Sequence, residues 1–168
     1  MVVKKKAQMK LSFGMIFSII LIIIFLSFSF FAIKKFLDIS SSAQISKFTV
    51  SLQNDIDKVW KGTKSSQEKE YILPKKIERV CFIDYNSEKT GQQYSEEYDE
   101  LEFEYQGYEN LFFYPISAAR GIISLEMNNI DLAKMTLNEN PFCIENKEGK
   151  IKIVIKKDYE DTKVTITE

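Results

Sequence analysis

Histidine is absent from all 168 residues. That removes the commonest general base, the commonest metal ligand and every catalytic arrangement in which a serine or cysteine leans on an imidazole. Carboxylate, lysine or tyrosine chemistry stays open. Glycine is scarce at six residues, and no glycine-rich phosphate loop, no G-x-S-x-G turn and no S-x-x-K in a convincing context occurs. With two cysteines and no histidine, a structural zinc site needs carboxylates or another chain to complete it. Acidic residues are missing from the start of the chain: all 24 lie from Asp38 onward. Charge of either sign is missing between Leu11 and Ile33.

That last absence organises the chain. The run from Leu11 to Ile33 holds 23 residues, about 34 Å of helix at ~1.5 Å per residue, against a hydrocarbon core of about 30 Å. In lipid only helices and closed barrels satisfy every backbone polar group, so a lone run of this length reads as a spanning helix. Ser12, Ser18, Ser27 and Ser29 are compatible with it, because their hydroxyls can bond to carbonyls one turn earlier. A cleaved secretory signal is the competing reading. Such a signal has an apolar region of roughly 7 to 15 residues and a small-x-small site after it; here Phe30, Phe31 and Ile33 crowd that place. An uncleaved anchor is expected.

Lys4, Lys5, Lys6 and Lys10 precede the run, and Lys34 and Lys35 come after it. The excess before the helix predicts a cytoplasmic N-terminus, with the rest of the chain extracytoplasmic. Beyond Lys35 the chain holds 17 basic against 24 acidic side chains, a net −7. An acidic surface argues against nucleic acid as a partner. The lipid bilayer is the first partner expected.

These patterns divide the chain into four segments: a basic leader over 1–10, a transmembrane helix over 11–33, an amphipathic stalk helix over 34–62, and a β-rich extracytoplasmic head over 63–168. In the stalk, Ile45, Phe48, Leu52, Ile56 and Val59 recur at helical spacing, and Gly62 is a natural stop. Ser40 to Ser42 mark the place for a bend. Lys64 to Glu70 reads as a polar loop, with a short strand after it from Tyr71 to Leu73. Ile77 to Tyr85 and Asn110 to Tyr114 read as strands rich in β-branched and aromatic residues. Asn86 to Glu100 reads as an exposed loop. Leu101, Phe103 and Tyr105, alternating with Glu102 and Glu104, predict a half-buried strand. Ile116 to Leu137 could hold a short helix or two short strands. Phe142 to Ile144 and Lys150 to Lys156 predict a hairpin about Asn146 to Gly149, and Lys163 to Thr167 a last strand. The expected fold class is α+β, with a mainly antiparallel sheet in the head.

Cys81 and Cys143 sit in strand-like segments beside aromatic residues. Outside the cell a lone pair in a small domain reads as a disulfide, and two buried free thiols are the alternative. Glu96, Glu97, Asp99, Glu100, Glu102 and Glu104 invite a calcium reading. They lack the D-x-D-x-D-G spacing, and a solvated acidic face is expected instead. The aromatic residues of Tyr108 to Pro115 are expected in the core. No catalytic residue, cofactor or metal site is expected, and no enzymatic activity; an ectoenzyme built on carboxylates would need a cleft that no motif announces.

The stretch KKAQMKLSFGMIFSIILIII resembles the N-terminus of archaeal type IV pilin-like proteins carrying a class III signal peptide. The resemblance implies peptidase cleavage between Ala7 and Gln8, leaving Gln8 as the first mature residue. It also implies a long helix, apolar first and amphipathic later, that carries a β-rich head often holding a disulfide. Other pilin-like subunits or a membrane protein would then be partners. Ser12 stands at the fifth mature position, where the family usually carries glutamate, and Lys10 adds a charge to the leading segment. The resemblance therefore implies membrane insertion and orientation more strongly than filament building. A tethered extracytoplasmic binding module, neither cleaved nor assembled, is the alternative function.

Overall fold

The computed structural model describes residues 13–119 and 121–168. It divides into two compact units, Met1–Asp38 and Ile39–Glu168. Helix α1 spans Phe13–Lys61; its residues up to Asp38 belong to the first unit and the remainder to the second.

Within the first unit the side chains from Phe13 to Leu37 are exposed throughout. The segment is rich in isoleucine and phenylalanine, which are middling helix formers in water. Three serines interrupt it, and each turns its hydroxyl back on the helix. Ser18 donates to the Gly14 carbonyl at 2.8 Å, Ser27 to that of Ile23 at 2.8 Å and Ser29 to that of Phe25 at 2.7 Å. None of these three hydroxyls needs water. The helix is long and apolar enough to cross a membrane.

The second unit is α+β, as the sequence patterns predict. Residues 40–42 are helical. Ile45, Phe48, Leu52, Ile56 and Val59 are all buried, as their spacing foretells. Lys58 and Lys61 occupy the last turn, where cations complement the negative end of the helix dipole. Seven strands come next: β1 (Ser65–Ile72), β2 (Arg79–Phe82), β3 (Leu111–Tyr114), β4 (Ser124–Leu125), β5 (Phe142–Glu145), β6 (Lys150–Lys157) and β7 (Thr165–Thr167). Two short helices, α2 (Ser95–Glu102) and α3 (Leu132–Met135), and a 3-10 turn at Ile116–Ala118 lie between them.

The strands form two antiparallel sheets, one of order β1-β6-β7 and one of order β4-β3-β2-β5. In β6, Ile151, Ile153 and Ile155 point into the core that the buried stripe of α1 shares, while Lys150, Lys152 and Lys156 face water. The second sheet is covered on both faces. Val80, Phe82, Leu111, Phe113 and Ile144 join the core with α1, whereas Cys81, Ile83, Phe112 and Cys143 join a second cluster with Tyr94, Tyr98 and Leu101. Two buried faces explain why these strands read as continuous apolar runs instead of alternating ones.

Several expectations are corrected. Lys64 to Glu70 is not a loop: Ser65–Ile72 is one eight-residue strand paired along its whole length with β6. Its polar composition survives because one face meets solvent, and pairing with a strongly apolar-alternating partner outweighs its poor intrinsic preference. Leu101, Phe103 and Tyr105 form no strand. Tyr94, Tyr98 and Leu101 recur at helical spacing and pack on the second sheet, so Ser95–Glu102 coils and Phe103 is left 91% exposed. That helix also replaces part of the loop expected over 86–100. Strands β5 and β6 do not form a hairpin ladder, because β5 pairs with β2 while β6 pairs with β1 and β7. The chain changes sheets in the four residues between them. Gly149 makes that switch possible: its φ is +92°, and a Cβ there would lie 3.2 Å from the Leu73 carbonyl oxygen. Residues 116–137 hold the 3-10 turn, a two-residue strand and a one-turn helix.

Candidate functional site

Cys81 and Cys143 are directly opposite one another across β2 and β5 and are joined by a disulfide, with Cα atoms 4.0 Å apart. The bond lies inside the second cluster, against Phe112 and the covering helix α2. It ties strands 62 residues apart in sequence. Ala7 and Gln8, where the pilin resemblance implies cleavage, lie outside the described residues, as do Lys10 and Ser12.

The acidic cluster is dispersed by the fold. Glu97 turns inward and pairs with Arg79, whose guanidinium also sits 5.3 Å from the ring centres of both Tyr94 and Tyr114. This polar clasp closes one end of the layer between α2 and the sheet. Asp99 pairs with Lys89 at 2.7 Å. Glu96, Glu100 and Glu102 are exposed, and Glu104 is half-buried. Glu109, outside the expected cluster, is buried and accepts from the backbone N–H groups of Gln106 and Tyr108, so it shapes its own turn. Among the described residues no group of histidine, cysteine or acidic side chains has the arrangement of a metal site. Tyr85 lies in a nest of rings, 4.3 Å from Tyr105 and 5.1 Å from Tyr98. Burial first, and then the negative field of neighbours including Glu102, pushes its phenol well above the usual value.

Another buried polar contact also escaped the sequence patterns. Asp55 sits within the apolar stripe of α1 and is only 8% exposed. It accepts from the Tyr71 hydroxyl at 3.0 Å and from the Lys58 ammonium at 3.0 Å, fastening the helix to β1. Burial alone would raise its pKa. The hydrogen bonds from Lys58 and Tyr71, with the charges of Lys69 and Lys58, outweigh burial and hold the carboxyl below its usual value. Burial, then the Asp55 charge, pushes the Tyr71 phenol far up. The only signal for this contact was an acid three residues after Leu52 on a face otherwise apolar.

No known protein family, no curated protein and no solved structure matches the chain. Function therefore rests on the residues and their geometry.

Among the described residues of the second unit, surface grooves include the following three. One, of about 350 Å³, lies on the outer face of the β1-β6-β7 sheet, where Lys150 reaches Glu70 at 2.9 Å and Lys147 reaches Glu168 at 3.2 Å. A second, of about 480 Å³, lies beside β7 over Met135, Phe142 and Ile166. A third, of about 460 Å³, runs between α1 and β1. The first has a lining of mixed charge, and two of its lysines, Lys147 and Lys150, are held by neighbouring carboxylates.

Proposed function

We propose that this chain is a single-pass, non-enzymatic, pilin-like structural or interaction protein of the cell surface. In this reading the first unit anchors in the bilayer with its N-terminus in the cytoplasm, and the second works outside. One observation carries the proposal: a single helix whose first half is apolar and fully exposed has a second half whose stripe is buried in a disulfide-bonded β unit. An exposed apolar surface of that length is costly in water and costs nothing in lipid. A disulfide is kept in oxidising compartments, which favours an extracytoplasmic second unit. The expected partners are the bilayer and other pilin-like subunits or a membrane protein.

The intact mass of the membrane-extracted protein tests the reading. Cells with an active prepilin peptidase should yield a product that begins at Gln8, and cells lacking it the full-length chain. A full-length product in both strains would favour the uncleaved binding module instead. Alkylation of whole cells with a membrane-impermeant maleimide, on a variant carrying Tyr159→Cys at an exposed position, reports the compartment. Labelling of that cysteine only after lysis would overturn the orientation.

A further inference from the structure

Of the strands at the sheet edges, β1 is the longest at eight residues; β4, β5 and β7 have two, four and three. Among the described residues β1 pairs with β6 alone. The Leu73 N–H donates to the Gly149 carbonyl at 3.0 Å, in register with the ladder. Antiparallel pairs alternate, so the backbone groups of Tyr71, Lys69 and Gln67 point at β6, and those of Ile72, Glu70, Glu68 and Ser66 point away from it. The side chains of these last four residues are exposed, Ile72 by 67%. Beside this edge runs the groove of about 460 Å³, lined by Gln44, Phe48 and Ser51 of α1 and by Glu70, Tyr71 and Ile72 of β1.

We propose that the free edge of β1 takes an extended segment of a partner protein as an added strand. The segment carries lysine or arginine at alternate positions on the outer face and apolar residues between them. The backbone row supplies the hydrogen bonds, and the alternation supplies the specificity. The complement is already visible on the other side of β1. There Glu70 faces Lys152, Ile72 faces Lys150, and Lys150 bonds Glu70 at 2.9 Å, while Ile151 and Ile153 point inward. A strand on the free edge meets the same Glu68 and Glu70 outside and, inside, a groove rimmed by Gln44, Lys47 and Ser51 whose floor is the buried Phe48 and Tyr71. Lys47 at the groove and Lys69 on the inner side disfavour basic side chains there, which fixes the facing of the guest.

A second copy of the chain is the wrong occupant. Two-fold antiparallel pairing sets outward-pointing residues against outward-pointing residues. Centred on Glu68, it places Glu68 against Glu68. Centred on Lys69, it places Glu68 against Glu70 and lysine against lysine. Centred on Glu70, it places Glu70 against Glu70. Like charges directly opposite repel in every one of these registers. The two self-pairings that engage the most residues of β1, centred on Glu68 and Lys69, are thus disfavoured, whereas a basic strand meets opposite charge, whether or not the leader is cleaved.

The test uses the full-length protein in detergent micelles, with empty micelles as the blank. A fluorescent peptide with the sequence of Lys150–Ile155 is titrated by anisotropy beside two controls, one with glutamate for lysine and one with the same residues in blocks. The alternating basic peptide should bind at least tenfold more tightly than either control. Glu68→Pro removes an N–H that points away from β6, so melting should change little while peptide affinity falls at least tenfold. Glu68→Lys should weaken the basic peptide similarly and strengthen the acidic one, and it keeps the test decisive if the proline variant misfolds. Equal binding of all three peptides, no binding, or an affinity indifferent to Glu68→Lys would overturn the proposal. A protein dimer abolished by Glu68→Pro would also overturn it, by assigning the edge to a second copy.

Discussion

At the scale of single residues, stability turns on a few buried polar side chains that have found partners. Asp55 is one. Its carboxyl is held below the usual value of 3.8, so its contribution is present above that pH and is lost as the pH falls through the lower folded value. Asp55→Ala should cost about 1–3 kcal/mol, because the Tyr71 hydroxyl loses its acceptor, and should blunt the acid limb of a stability-against-pH curve measured by urea unfolding. Tyr71 and Tyr85 act at the opposite limb. Their phenols are raised above the usual 10.0, so the folded state keeps them protonated while the unfolded state ionises, and stability falls as pH rises past about 10. Phenolate absorbance should show these two tyrosines titrating only together with unfolding. Arg79→Met should be harsher, about 3–5 kcal/mol, since Glu97 would be left charged and buried; adding Glu97→Gln should recover part of the loss. None of these pairings was legible in the sequence, because charge pairs join residues whose proximity only the fold creates.

At the scale of elements, legibility tracks periodicity. The second half of α1 was readable because apolar residues at helical spacing have one economical arrangement, and all five are buried. The segment Ser65–Glu70 was not, because an edge strand can be polar on one face and its pairing partners, Lys157 to Lys152, lie 82 to 92 residues away. Its charges have a use: glutamates on an exposed edge and an inward lysine discourage indiscriminate strand addition. The Cys81–Cys143 bond is an element-scale staple across β2 and β5. Replacing both cysteines with alanine should cost roughly 4 kcal/mol in the chain-entropy account of a loop of about 60 residues, read as a lower melting temperature that reductant no longer shifts. If the apolar part of α1 spans the bilayer as proposed, Ile22→Lys should cost about 2.5–3.5 kcal/mol of insertion at the helix centre, read as loss of the membrane-integrated fraction after alkaline carbonate extraction.

For the molecule as a whole, the two units differ in surface: the first exposes an apolar helix long enough to cross a membrane, and the second buries its apolar side chains in a core of its own. Five large apolar side chains of α1 complete the core of the second unit. At about 2 kcal/mol each they contribute on the order of 10 kcal/mol, comparable with the entire net stability of an ordinary domain. A fragment beginning at Ile39 should therefore fold and stay soluble without detergent, whereas one beginning at Gly62 should not give a cooperative melt. Circular dichroism and size-exclusion chromatography distinguish the two outcomes.

Composition and period alone decided that one helix is apolar enough for lipid, that its continuation carries a buried stripe, and that strands dominate the rest of the chain. These are local properties, set by the side chains along a short stretch and the solvent they require. Tertiary structure alone decided that β5 and β6 part into different sheets, that Glu97 turns inward to Arg79, and that β1 is left with an open edge. Each of those outcomes depends on which distant segment arrives alongside, and no local pattern in a single chain encodes its neighbour.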